Sequence, residues 1–237
     1  MIRVLVTRPE PGASRTMRRL EDMGFQPILL PLTETVALPI EAHEALKDAT
    51  AVAVTSANAV RHASRGLIAA LAALPCHAVG KRTAEAARKA GFLSVSEGPG
   101  DAVALADAIA EGSSARIAYL TGCVRFPAFE ERLAAAGVRV RAIETYDTIA
   151  LDHSDAAVLA RLSGEPIAMV LLYSAKAAAA MQALIGRPTL RDLFEKTSFF
   201  ALSGRIAAAL EGVPSERVRI AGEPQEEALL RLLQAER

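Results

Sequence analysis

Cysteine is nearly missing from this sequence: Cys76 and Cys123 are the only two in 237 residues. They form no Cys-x-x-Cys pair and no framework of the kind that staples small secreted domains, so a reducing, cytoplasmic setting is expected. Histidine is scarce as well. His43, His62, His77 and His153 lack HxxxH or HExxH spacing, so no metal site is expected and each histidine reads as structural. An excess of charge is missing too, with 27 Lys+Arg against 27 Asp+Glu. That balance argues against a nucleic acid or a membrane surface as partner and makes any anion site a local one. No window approaches the ~20 apolar residues of a membrane span, and Val4-Leu5-Val6 behind Met1-Ile2-Arg3 is too short for a signal segment.

Several chemical signatures are absent. There is no Gly-x-Gly-x-x-Gly, and Gly80-Lys81-Arg82-Thr83 resembles a phosphate-binding loop only superficially, because Pro75 stands where that loop needs its first glycine. Nucleotide binding is therefore disfavoured, and with no nucleophile elbow, Ser/His/Asp order or motif of paired carboxylates, covalent catalysis is not expected.

What is present is an ordinary globular composition, 51% hydrophobic and 23% charged, in a chain long enough for two modest cores. Short unbroken apolar runs alternate with amphipathic stretches, the pattern of a parallel sheet covered on both faces. Ten strands are predicted, near residues 2–7, 26–30, 51–55, 77–79, 93–96, 116–121, 138–142, 168–173, 198–202 and 217–220. A weak repeat runs through them. Val4-Leu5-Val6-Thr7-Arg8 matches Ile117-Ala118-Tyr119-Leu120-Thr121, Val54-Thr55-Ser56-Ala57 matches Leu172-Tyr173-Ser174-Ala175, and Ala78-Val79-Gly80-Lys81 matches Ala201-Leu202-Ser203-Gly204. Its period of roughly 115–125 residues points to duplicated domains rather than a solenoid.

Gly24, Gly91 and Gly137 each end a helical stretch, and Asp101 reads as a helix N-cap behind the Glu97-Gly98-Pro99-Gly100 loop. Two segments, 31–39 and 142–151, alternate and are rich in β-formers, as a two-stranded ribbon would be. Paired as a hinge, they make the first lobe discontinuous. A tandem cut near residue 115 gives five strands per lobe as well, and strand counting does not choose between the two.

In parallel α/β sheets ligands bind beyond the carboxyl ends of the strands, where helix starts offer free N–H groups and positive partial charge. Those loops carry Arg8, Arg61, Lys81, Arg82, Arg125, Lys176 and Arg205, with acids scarce before Glu223. Small residues there, Ser56, Ala57, Ser174 and Ala175, leave room for a carboxylate to approach the amides. Solvated helix starts with surface arginines would look the same. Capping is the simpler role for Thr83, and packing is the simpler role for Tyr146.

Val6-Thr7-Arg8-Pro9, Thr55-Ser56-Ala57-Asn58-Ala59-Val60, Val79-Gly80-Lys81-Arg82-Thr83-Ala84, Thr121-Gly122-Cys123-Val124-Arg125 and Glu144-Thr145-Tyr146 together resemble the uroporphyrinogen-III synthase family in order and spacing along nearly the whole chain. The resemblance implies two similar α/β lobes, each a five-stranded parallel, flavodoxin-like sheet flanked by helices, joined by a two-stranded ribbon at 31–39 and 142–151. Lobe one would hold 1–33 and 150–237, and lobe two 38–143, with the active site in a cleft between them. It further implies a cofactor-free lyase whose substrate, hydroxymethylbilane, loses water and closes with ring D inverted through a spiro intermediate; no apolar stripe argues for obligate assembly, so a monomer is expected. The preceding enzyme, hydroxymethylbilane synthase, would hand that substrate over.

On the same resemblance Tyr146 matches the family tyrosine suggested to assist hydroxyl departure, and Thr83 matches a cleft threonine. Thr7, Arg8, Ser56, Ala57, Asn58, Lys81, Arg82, Arg125, Ser174, Ala175, Lys176 and Arg205 become candidate substrate contacts. One departure stands out: Ser203-Gly204-Arg205-Ile206 occupies the place of a Gly-Pro-x-Thr-like loop and lacks its threonine. A non-catalytic two-lobed protein that binds an anion or a tetrapyrrole is the competing expectation.

Overall fold

Residues 1–40, 48–111, 116–125 and 127–236 are described by the computed structural model, and every statement about structure refers to them; His43 lies outside. Eleven strands are found there: β1 Arg3–Val6, β2 Gln26–Leu29, β3 Thr33–Ala37, β4 Ala51–Val54, β5 Cys76–Ala78, β6 Val95–Glu97, β7 Arg116–Gly122, β8 Arg139–Ala150, β9 Met169–Leu172, β10 Ser198–Ala201 and β11 Val218–Ile220. The chain divides into two compact units, Met1–Glu34 with Ile149–Arg237, and Thr35–Thr148.

In the first unit the sheet order is β11-β10-β9-β1-β2, with every pairing parallel. Its strands read as unbroken apolar runs because alternate side chains point to opposite faces and both faces are covered. Leu5, Val170, Leu172 and Phe199 enter one core, while Val4, Val6, Met169, Leu171 and Phe200 enter the other. Each fully buried Val, Leu or Phe contributes about 1.5–3 kcal/mol, so the central strands dominate the unit's stability.

The second unit repeats the plan. Val52, Val54, Cys76, Ala118 and Leu120 pack on one face, and Ala51, Ala53, Ile117 and Tyr119 on the other. Its order is β3-β8-β7-β4-β5-β6, parallel from β8 through β6. β3 differs: Leu38 donates to the Thr145 carbonyl at 3.0 Å and Leu151 to the Leu32 carbonyl at 2.9 Å, so β3 and β8 run antiparallel. This sheet therefore has six strands rather than the expected five. The strand expected near 138–142 and the ribbon segment at 142–151 are one twelve-residue strand, β8, because neither glycine nor proline interrupts it.

Setting β1, β2, β9, β10 and β11 beside β7, β8, β4, β5 and β6 gives the same spatial order in both sheets. The repeat pairs β1 with β7, β4 with β9 and β5 with β10, the very strands that occupy equivalent places. Gly91 shows how the helices end: it closes Lys81–Ala90 at φ 116°, a left-handed conformation that costs a residue with a Cβ. Gly24 and Gly137 also carry positive φ after their helices. Asp101 caps Ala102–Ala110 by accepting from the Val103 and Ala104 amides, both at 2.9 Å.

Candidate active site

Parallel pairing sends all carboxyl ends of a sheet to one edge, and the helix starts collect there. In the second unit this edge carries Ser56, Ala57 and Asn58 after β4, Lys81, Arg82 and Thr83 after β5, and Arg125 after β7. Gly122 of β7 is in register with Tyr146 of β8, which places Tyr146 beside the same edge. Half-buried, its hydroxyl donates to Ser56 Oγ at 3.2 Å. Ser56 Oγ also accepts from the Asn58 amide at 3.2 Å as the N-cap of Ala57–Arg61. Beneath it, the Thr55 and Tyr119 hydroxyls lie 2.6 Å apart.

Thr145, fully buried, places its hydroxyl 2.7 Å from the Ala59 carbonyl and 3.2 Å from that of Thr121. It therefore ties β8 to the helix after β4. The Tyr146 ring stacks on His62, with centroids 5.7 Å apart, and His62 Nε2 is 2.8 Å from Thr35 Oγ1. Burial, and then the Arg61 charge, hold His62 below the ordinary histidine range, which favours the neutral ring.

Lys81 and Arg82 open the helix Lys81–Ala90; both are exposed, and neither makes an ion pair among the described residues. The helix macrodipole disfavours cations at this end, so their placement lowers stability and suits an incoming anion. Beside them Gly80 serves as N-cap with no side-chain cap bond, and the buried Thr83 lies three residues into the helix. The capping role expected of Thr83 thus belongs to the glycine. The Glu97–Gly100 loop folds onto this start, with Gly98 donating to the Ala78 carbonyl at 2.8 Å and Gly100 to that of Val79 at 2.6 Å.

Acids are less scarce at the edge than expected. Arg125 meets Glu130 Oε2 and Glu144 Oε1, each at 2.7 Å, and so is already neutralised. Hydrogen bonds from Arg125 first, then from Cys123, hold the Glu144 carboxyl below its usual range. Cys123 Sγ donates to Glu144 Oε2 at 3.3 Å; burial and that carboxylate raise its thiol. Cys76 is a core residue whose thiol burial pushes up to about 12, which leaves it inert.

In the first unit the edge carries Thr7 and Arg8 after β1, Ser174, Ala175 and Lys176 after β9, and Arg205 after β10. Thr7 turns inward: fully buried, it donates to the Leu171 carbonyl at 2.6 Å and ties β1 to β9. Arg8 lies 4.2 Å over the Tyr173 ring and pairs with Glu226 at 3.0 Å. A side chain on Gly12 would come within 2.4–2.7 Å of the Arg8 guanidinium, so glycine leaves the room it occupies.

Glu226, its side chain 12% exposed, also accepts from Thr16, from Tyr173 at 3.0 Å and from Arg19 at 3.2 Å. Burial alone would raise its carboxyl; these donors and the charges of Arg8 and Arg19 outweigh it and leave it lowered. Ser174 caps Ala175–Ile185 by accepting from the Ala177 amide at 3.1 Å. Lys176 and Arg205 are second in their helices, and both are engaged in contacts.

A family profile described as uroporphyrinogen-III synthase HemD matches residues 14–231. The chain belongs to that family. No curated protein matches the sequence. Among solved structures, uroporphyrinogen-III synthetase from Helicobacter pylori is similar with TM-score 0.63 and 18% identity over 100% of both chains. A mutant uroporphyrinogen III synthase from the extremely thermophilic bacterium Thermus thermophilus is similar with TM-score 0.52 and 16% identity, over 99% of this chain and 98% of that one. Likeness at such identity speaks to fold alone.

Within this uroporphyrinogen-III synthase family member, Tyr146, Ser56 and Asn58 are brought together, and so are Lys81, Arg82 and Thr83. Tyr173, Glu226, Gly122 and His62 were missed in the sequence. Tyr173 stands inside the repeat and was a readable signal, whereas nothing in spacing links Glu226 to Arg8. Among the described residues no group of three or more His, Cys, Asp or Glu side chains could hold a metal, and no helix is long and apolar enough to cross a membrane.

Proposed function

We propose that this chain is a uroporphyrinogen-III synthase, a lyase that removes the hydroxyl of hydroxymethylbilane as water and closes the ring with ring D inverted through a spiro intermediate. The family match over residues 14–231 carries this reading. The two units act as flavodoxin-like lobes, 1–33 with 150–237 and 38–143. Segments 31–39 and 142–151 form the ribbon on which a monomer hinges. In the cytoplasm it takes its substrate from hydroxymethylbilane synthase by transient hand-over.

The chemistry needs few groups. Acetate and propionate carboxylates of the bilane are held by Lys81, Arg82, Lys176 and Arg205 and by the amides opening Lys81–Ala90 and Ala175–Ile185. Arg8 and Arg125, fixed by their own carboxylates, offer their remaining N–H donors, and Thr83 orders its loop. Small side chains at Ser56, Ala57, Asn58, Ser174 and Ala175 let the substrate come close to the backbone. Tyr146 then donates a hydrogen bond or proton to the departing hydroxyl. The azafulvene so formed is attacked by the substituted carbon of ring D.

Because the open chain closes to the type I ring unaided, the protein's work is to hold one geometry against another. The test is to supply freshly made hydroxymethylbilane and separate the uroporphyrin isomers after oxidation: a type III product supports the reading, and type I alone removes it.

A further inference from the structure

Three groups meet Tyr146. On one face is Gly122, where an added Cβ would sit 2.7 Å from the ring's Cζ and 2.9 and 3.0 Å from its Cε atoms. The His62 ring stacks on Tyr146, 5.7 Å away between centroids and 27° from parallel. At the tip, the hydroxyl reaches Ser56 Oγ at 3.2 Å. His62 is tied in turn to β3, its Nε2 lying 2.8 Å from Thr35 Oγ1. The backbone of Tyr146 is pinned by its neighbour Thr145, whose hydroxyl meets the Ala59 and Thr121 carbonyls. A core tyrosine needs apolar neighbours and one partner for its hydroxyl, as Tyr119 has in Thr55. Here an aromatic with a polar edge is clipped to a second strand and laid against a ring whose hydroxyl stands at the carboxyl edge of the sheet.

We infer that His62 is a positioning residue for the proposed reaction: bonded to Thr35, its imidazole stacks on the Tyr146 ring and, with the close approach of Gly122, fixes where the phenol O–H points. The inference rests on the role proposed for Tyr146. An aromatic pair narrows the ring to one well, and a phenol that samples several orientations spends less time within reach of the leaving hydroxyl. Burial and the adjacent Arg61 favour the neutral imidazole, which stacks without placing a cation on the phenol face.

A double-mutant cycle tests this, using His62→Ala, His62→Phe, Tyr146→Phe and the His62→Ala/Tyr146→Phe pair, with thermal melts to verify folding. His62→Ala is expected to lower kcat about tenfold, the size of one lost ring–ring contact. Its KM stays within about twofold, because no substrate contact is removed. His62→Phe, which keeps the stack, recovers most of the loss. In the Tyr146→Phe background His62→Ala costs nothing further. Equal losses in both backgrounds, or a rise in KM alone, would overturn the inference and leave the function standing.

Nuclear magnetic resonance supplies a readout independent of turnover. The ring protons of His62 shift downfield in Tyr146→Leu as the ring current is removed, and unchanged resonances would refute the clamp. If the wild type makes no type III product, the functional reading falls, while this spectrum still decides whether His62 holds Tyr146.

Discussion

Glu226→Gln isolates the polar centre of the first unit. The side chain is 12% exposed and gathers Arg8 at 3.0 Å, Arg19 at 3.2 Å, Tyr173 at 3.0 Å and Thr16, with Arg15 at 3.8 Å. Glutamine keeps the shape and can still accept at one oxygen, but it turns an amide N–H₂ toward a guanidinium and removes the charge that holds three arginines together. Hydrogen bonds to charged groups contribute about 1.5–3 kcal/mol each, so losing one to two of them costs roughly 2–4 kcal/mol. For a chain of this size that is a fall in Tm of roughly 5–15 °C. The sign of the pH dependence follows from the lowered carboxyl. A depressed folded-state pKa gives stability that is present above the unfolded value and lost as pH falls through the folded one. Wild type should therefore lose stability on the acid side more steeply than Glu226→Gln. Thermal melts from neutral to acid pH read both effects. A variant within about 1 °C of wild type, with an unchanged acid limb, would show that Glu226 is not the anchor of Arg8.

Other perturbations have equally definite signs. Replacing both Lys81 and Arg82 by alanine should raise stability by about 0.3–1 kcal/mol per cation, because each opposes its helix macrodipole. The same change should raise KM about tenfold or more per lost carboxylate contact and flatten its salt dependence; stability and KM falling together would contradict the placement. Gly122→Ala drives a methyl into the Tyr146 ring; overpacking should cost about 1–3 kcal/mol, and kcat should fall out of proportion to that loss. Thiol reagents at mildly alkaline pH should label Cys123 and spare Cys76, and Glu144→Gln should speed labelling by relieving the carboxylate that raises the Cys123 thiol. Labelling of Cys76 at the same rate would refute its burial.

The strands were readable because parallel sheets hide both faces: Val4-Leu5-Val6 and Met169-Val170-Leu171-Leu172 have no polar alternation to disguise them. The repeat was readable for the same reason, and it proved to match equivalent strands across two sheets whose chain order differs. The sequence suggests two segments where β8 is one strand, because its partner changes along its length: it pairs in parallel with β7 as far as Tyr146 and meets β3 from Thr145 to Leu151, and only pairing shows that the strand is continuous. At the site, the cations at helix starts were legible from loop position. Their partners were not, since Arg8 and Glu226 lie 218 residues apart and Tyr146 and Ser56 90 apart. Thr7 illustrates the limit of a motif: its place in the sequence points to the edge, while its hydroxyl turns inward to Leu171.

The central claim, that this chain turns ring D over before the macrocycle closes, is tested most directly by the isomer yield as a function of protein concentration. With a fixed supply of fresh hydroxymethylbilane, the type III fraction should climb with added protein until it accounts for nearly all of the uroporphyrin. A type I product at every concentration, formed at the rate of the protein-free control, would contradict it.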